Sequence, residues 1–255
     1  MKVLDLKEIK WNNLSTTSFG ILPKCISEHH FIKLSVFNDN VGFYGEEPIY
    51  EYLASKLGKA MNFNVMDTEL VMADIIYNNT EYRTLASIHT NFKNKNRNFM
   101  SIEKYSSIFK ERNILEFLLE KENYSQDIKN ILIFDFLVNN IDRHGRNVEI
   151  DSMSLAPIFD NSMSFFSKIE DEFLNEKLIE KSFKANNFLG FPDLKENLNY
   201  IRDYRIEFNL KELLKEVDNW GSETGRSCRR INFIKNLLVF RYDYIKEKYS
   251  KKFTW

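Results

Sequence analysis

Cysteine is nearly absent: Cys25 and Cys228 are the only two in 255 residues. That excludes a disulfide framework and a thiolate zinc site, and it fits a reduced, cytoplasmic protein. Neither sign of charge dominates. The 36 basic and 37 acidic residues leave a formal net charge of −1, so direct nucleic-acid binding is not expected from overall charge. Long apolar runs are missing too. No stretch reaches the ~20 residues that a membrane span needs. Met1–Glu8 alternates charge instead of building the apolar stretch of a signal peptide. No repeat of solenoid period stands out. The chain is rich in core material, with 43% hydrophobic residues that include 22 Phe and 12 Tyr. At this length that is enough for one domain or for two lobes sharing a cleft.

The first third reads as strands with one helix. Residues 15–37 read as strand, turn and strand, with the turn at Ser15–Lys24. Its small hydroxyl residues and Gly20 suit either an ordinary hairpin loop or a backbone nest for phosphate oxygens. His30–Val36 alternates as a strand does, with Lys33 inside it; that lysine either faces solvent or meets phosphates in a cleft. Glu46-Glu47-Pro48 opens a helix that runs to about Gly58, with acids and proline at its favourable end. Residues 65–76 and 82–89 read as a hairpin turning at Asn78-Asn79.

A polar, basic run at 91–98 separates this part from a helical remainder. Apolar spacing predicts helices over 108–122, over 126–139 with Ser125 as N-cap, and over 170–187, 193–218 and 228–249, punctuated by Pro192 and Gly221. Between the second and third of these lies a different pattern. A polar loop, Asn139–Asn147, is followed by an apolar hairpin, Val148–Ile150 with Leu155–Phe159, and then by Asp160-Asn161-Ser162.

That loop carries the chemistry. Asp142 and Asn147 stand five positions apart, and Asp160 lies eighteen beyond Asp142. In a kinase catalytic loop an Asp accepts the substrate hydroxyl proton, an Asn five residues on holds a metal, and a later Asp holds Mg²⁺. Asp160 is a hard oxygen ligand suited to that ion. Asp and Asn also cap turns in polar loops; the apolar helix before this loop and the hairpin after it make the pattern specific. Glu47 and Glu51 share one helix face, and either could pair with Lys33.

Over residues 15–165 the chain resembles the HipA-like serine/threonine kinases, a bacterial family that includes the shorter CtkA-type kinases. The resemblance rests on Ser18–Lys24, Phe31–Leu34, Glu47 with Leu53–Gly58, Asn140–Asn147 and Leu155–Ser162, in the family's order. Leu22 departs from it, since the family usually has Gln there. The resemblance implies an α+β, two-lobed protein-kinase-like fold. Residues 1–90 would form an N-lobe, 91–98 a hinge, and 99–255 a helical C-lobe. It implies ATP and Mg²⁺ as cofactors. Asp142 becomes the catalytic base, Asn147 and Asp160 the metal ligands. Lys33 holds the α/β-phosphates with Glu47 as partner, Ser18 and Gly20 form the phosphate loop, and His144 belongs to the same motif. Ser18 is the matching autophosphorylation position, with Ser15, Thr16 and Thr17 as alternatives. An unidentified protein substrate and an antitoxin partner follow from the family, although the start of the chain near the phosphate loop places it with the short forms. No membrane partner is expected.

Other readings remain compatible with the residues. Asp-Arg-His-x-x-Asn also occurs in phosphoinositide kinases, which leaves a lipid or small-molecule kinase open. A catalytically silent nucleotide-binding interaction module, or an α+β domain with a chance motif, would carry the same spacing.

Overall fold

Two long strands, one helix and a hairpin turn frame the first part of the chain. The computed structural model describes residues 1–11, 22–93, 97–110, 113–181, 184–185, 189–201, 205 and 207–250. Strands β1 (Lys2–Asp5), β2 (Lys24–Ile26), β3 (His30–Leu34), β4 (Val36–Asn38) and β5 (Gly42–Tyr44) precede helix α1 (Glu47–Ala60). β6 (Thr68–Tyr77) and β7 (Thr80–Thr90) follow it. The main sheet runs β1-β6-β7-β3-β2, with β1 parallel to β6 and the other neighbours antiparallel. β4 and β5 pair separately.

Alternation decides what each face of this sheet does. Val71, Ala73, Ile75 and Tyr77 of β6 pack with Ile32, Leu34 and Ala86 in one small core. Leu70, on the other face, joins the large core beneath α1. The β6–β7 turn is Asn78-Asn79, as the sequence indicated, with φ of 49° and 63°. Two successive left-handed residues are what a two-residue hairpin turn requires, and Asn tolerates them. The β2–β3 turn lies at 27–29, so Lys24 belongs to a strand and not to the expected turn.

The remainder is helical. After β8 (Met100–Ser101) come α2 (Ile102–Phe109), α3 (Ile114–Glu120) and α4 (Glu122–Val138). β9 (Glu149–Ile150) pairs with β8, and α5 (Glu176–Lys181), α6 (Leu194–Asn197), α7 (Leu210–Thr224) and α8 (Cys228–Ser250) complete the order. Several expected boundaries move for local reasons. The helix expected over 108–122 is split, because Lys110 turns left-handed at φ 54° and Asn113 caps a new start by accepting the Glu116 amide hydrogen. Ser125 sits inside the first turn of α4 and does not cap it. The segment 193–218 breaks after α6, and Asn209 caps α7. Gly221 lies within α7: its missing side chain leaves room for Ile231 of α8, and Gly225, at φ 67°, ends the helix instead. Among the described residues no helix is long and apolar enough to cross a membrane.

α1 ties the sheet to the helices. Ile49, Tyr50, Leu53, Ala54 and Leu57 are fully buried along it, and the Trp220 indole N–H of α7 donates to the Ile49 carbonyl at 3.1 Å. A cleft opens between the sheet and the helical part.

The Asn78-Asn79 turn gives a test of this local reading. Asn79→Val should lower stability by about 1–2 kcal/mol, while Asn79→Gly should leave it unchanged or raised. Urea unfolding of both variants measures this; equal losses would contradict a conformational role for the turn.

Candidate active site

The loop starts where α4 ends. Asn139 takes φ 53°, and the Arg241 guanidinium of α8 donates to its side-chain oxygen at 2.7 Å. The Asn140 side chain donates to Asp135 at 3.1 Å and accepts the Asp142 amide hydrogen at 3.1 Å. Further on, the Asn147 side-chain nitrogen donates to the Asp142 carbonyl at 3.0 Å, which closes the five-residue loop on itself. That bond leaves the amide oxygen as the atom Asn147 can offer a cation.

Arg143 is the hub, and the sequence reading missed it. Its side chain is 1% exposed. It donates to both Asp135 oxygens, each at 3.0 Å, to the Asn147 carbonyl at 3.2 Å, to the Phe159 carbonyl at 2.5 Å and to the Asn161 side chain at 2.5 Å. One planar group thus holds α4, the loop end and both neighbours of Asp160. The signal in the sequence was Asp135, a charge between Phe134 and Phe136 on a helix otherwise apolar there. A buried carboxylate demands a partner, and Arg143 is the nearest arginine in the chain order.

Asp160 stands at φ 58° beyond the short hairpin formed by the Ile150–Leu155 bridge. Its carboxylate accepts from Lys33 Nζ at 2.8 Å across the cleft. Burial works against ionising Asp160, but the Lys33 charge and hydrogen bond, with Arg143 and His144, outweigh it and hold the carboxyl below the usual carboxylate range. Burial likewise works against the Lys33 ammonium, and Asp160 and Glu51 outweigh it and hold it above its ordinary range.

Glu51, not Glu47, is the α1 acid in this cluster. Glu51 is buried, lines the cleft with Lys33 and Asp160, and accepts the Asn161 amide hydrogen at 2.7 Å. Burial pushes its carboxyl up, against Lys33 and with Asp160. Glu47 turns one helical turn away and pairs with Lys168. The expectation that Glu47 partners Lys33 is therefore corrected: the i, i+4 step that puts both acids on one face also separates them by a full turn, and only Glu51 reaches the sheet side.

Asp142 is half-exposed and close enough to Asp160 for their charges to interact. Burial pushes its carboxyl up, with Asp160 adding and His144, Arg143 and Arg146 opposing. The His144 ring accepts the Arg146 amide hydrogen at Nδ1, so a neutral ring carries its proton on Nε2, which lies 3.9 Å from Asp142. Ser15, Thr16, Thr17, Ser18 and Gly20 lie outside the described residues. Lys24, just after them, lies beside Lys33 in the β2–β3 register and lines the cleft. The cleft holds about 870 Å³, solvent space at its mouth included, and its apolar end is formed by Ile26, Phe31, Phe92 and Phe159. Phe92 packs against Phe31 and Phe159 with ring centres 5.8 and 5.4 Å away. An apolar end, a row of cations and two oxygen-donor side chains make a site fit for a nucleoside phosphate with a divalent cation.

No family model matches the chain, and no curated protein matches it. Solved structures do. The crystal structure of the Helicobacter pylori proinflammatory kinase CtkA superposes with a TM-score of 0.63 at 14% identity, covering 94% of each chain. This chain has the CtkA fold. The CtkA fold therefore extends through the sheet and the helices alike, well beyond the loop that carries the motif. A second similar structure is HipA of Shewanella oneidensis MR-1, from a toxin–antitoxin complex with HipB and operator DNA. It matches at a TM-score of 0.47 and 16% identity, over 94% of this chain and 67% of that one.

Two outcomes are expected from the buried charges. Arg143→Met leaves Asp135 buried without its partner, and denaturant unfolding should show a loss of about 3–5 kcal/mol; a loss near the ~0–1 kcal/mol of an exposed pair would contradict the hub. The second concerns pH. A depressed carboxyl stabilises the fold above its unfolded value and loses that contribution as pH falls through its folded value. Asp160 therefore contributes an acid limb that sets in as pH falls below about 4, the ordinary carboxylate value, while the raised Glu51 carboxyl acts with the opposite sign, its contribution fading as pH rises. Urea midpoints across this range should fall less steeply for Lys33→Met than for the parent protein.

Proposed function

We propose that this protein is a HipA-like kinase with a two-lobed architecture, using ATP and Mg²⁺ to phosphorylate Ser or Thr of a protein, itself included. The observation that carries the reading is the joining of Lys33 to Asp160 across a cleft that Arg146 and Asn147 of the Asp142–Asn147 loop also line. Lys33, Asn147 and Asp160 line it from three separate segments of the chain, and Asp142 lies close enough to Asp160 for their charges to interact. The CtkA fold supports the same reading.

In this mechanism the aromatic end of the cleft takes the base and Lys33 meets the phosphates, with Asp160 and then Glu51 favouring its charged ammonium. Asn147 and Asp160 would hold Mg²⁺, and their amide and carboxylate oxygens fit its preference for hard ligands. That ion supplies neutralisation of the charge developing on the transferring phosphoryl group. Asp142 receives the hydroxyl proton of the substrate; a carboxyl raised by burial holds that proton better than an exposed one. Arg143 acts through its neighbours, fixing the Asn147 and Phe159 backbones so that both ligands approach from fixed directions. A protein substrate and an antitoxin-type protein are the macromolecular partners this reading implies, and Ser18, with Ser15, Thr16 and Thr17, are its autophosphorylation sites.

The test is phosphate incorporation from labelled Mg·ATP, with mass spectrometry of the product. Asp142→Ala should reduce transfer at least ~10²-fold while ATP still binds. Asp160→Ala should abolish transfer through loss of the metal. Full activity in either variant would overturn the assignment, and label mapping to 15–18 would identify the modified hydroxyl.

A further inference from the structure

Glu149 is an acid in an apolar hairpin that the catalytic reading does not use. Val148 and Ile150 on either side are buried in the large core, so strand alternation turns Glu149 to the opposite face, into the cleft. Its side chain is only 10% exposed. One carboxylate oxygen accepts from Lys93 Nζ at 2.6 Å. The other, Oε2, is buried and has no hydrogen-bond partner among the described residues. A sheltered carboxylate oxygen without a donor is uncommon in a folded protein, and nothing in the packing of β9 requires a charge there.

Its position says which donor fits. Glu149 stands two residues beyond Asn147, at the start of β9, and both side chains line the cleft. Asn147 belongs to the phosphate and metal end, with Lys33 and Asp160. Lys93 follows directly on Phe92, the centre of the aromatic end where a base stacks. Glu149 therefore lies between the two, at the level of the sugar. A carboxylate only accepts hydrogen bonds, and the sugar of a ribonucleotide presents two hydroxyl donors. Acidic side chains take ribose hydroxyls in the same way in dinucleotide-binding folds.

We infer that Glu149 is a ribose-recognition residue, accepting a hydrogen bond from a sugar hydroxyl of the bound nucleotide and selecting ribonucleotides over deoxyribonucleotides. The inference rests on the nucleotide-kinase reading of the cleft. Lys93, with a 43% exposed side chain on the outer side of the pair, is free to turn outward as the sugar enters.

The experiment is equilibrium binding of Mg·ATP, Mg·2′-deoxy-ATP and Mg·3′-deoxy-ATP to the full chain, to Glu149→Leu and to Glu149→Gln. The parent protein should bind at least one deoxy form about ten-fold more weakly than ATP. Glu149→Leu should bind ATP as weakly as the deoxy form and lose the difference, while Glu149→Gln, which keeps one acceptor oxygen, should retain part of it. A parent protein that binds all three alike overturns the ribose assignment and leaves the kinase reading standing. So does a difference that persists undiminished in Glu149→Leu. Should Glu149→Leu fail to fold, the parent and Glu149→Gln comparisons still decide. No binding of any of the three by the parent protein overturns the kinase reading and this inference together.

Discussion

A single buried guanidinium organises the centre of this molecule. Arg143 takes its charge balance from Asp135 on α4 and uses its remaining N–H groups on backbone and side-chain oxygens of two other segments. Arg and Asp cannot be buried separately without a large desolvation cost, so the pair forms only when α4, the loop and the hairpin are all in place. The fork geometry of the guanidinium then fixes the directions from which Asn147 and Asp160 approach the cleft. A lysine could match the charge but not this set of directions.

Around that hub the charges form a second tier that links sheet to helices. Lys33 reaches from β3 to Asp160, and Glu51 reaches from α1 to the Asn161 amide. α1 is itself held on its far side: Glu46 pairs with Arg226, Glu47 with Lys168, and Trp220 with the Ile49 carbonyl. The helix that presents Glu51 is therefore anchored to the helical part at its N-terminal end. The result is a cleft whose charged groups are held from three separate elements of the fold.

Much of the site was legible in the sequence because it lies in short local spacings. Asp142, Asn147 and Asp160 are joined by one loop and one hairpin, and a strand lysine two residues after Phe31 was visible by alternation alone. What stayed hidden was partner choice. Glu47 and Glu51 are equivalent on a helical wheel, and only the angle at which α1 lies on the sheet distinguishes them. One helix boundary misread for a similar reason: Gly221 makes room for Ile231 of α8, a packing need that local propensity does not encode. Glu149 was hidden between two apolar neighbours, Val148 and Ile150.

The sequence by itself determined the strand at Lys33, the helices that became α1 and α4, the β6–β7 hairpin with its Asn78-Asn79 turn and the chemical inventory of the loop, because periodicity, turn chemistry and short loop spacing are local properties of the chain. Tertiary structure alone decided which charges meet. Lys33 and Asp160 are separated by 127 positions, Glu51 and Asn161 by 110, and Glu149 and Lys93 by 56. Such contacts depend on how α1 and the sheet dock onto the helices, and that docking is set by the shared apolar core, which fixes relative position without marking it in any one stretch of residues.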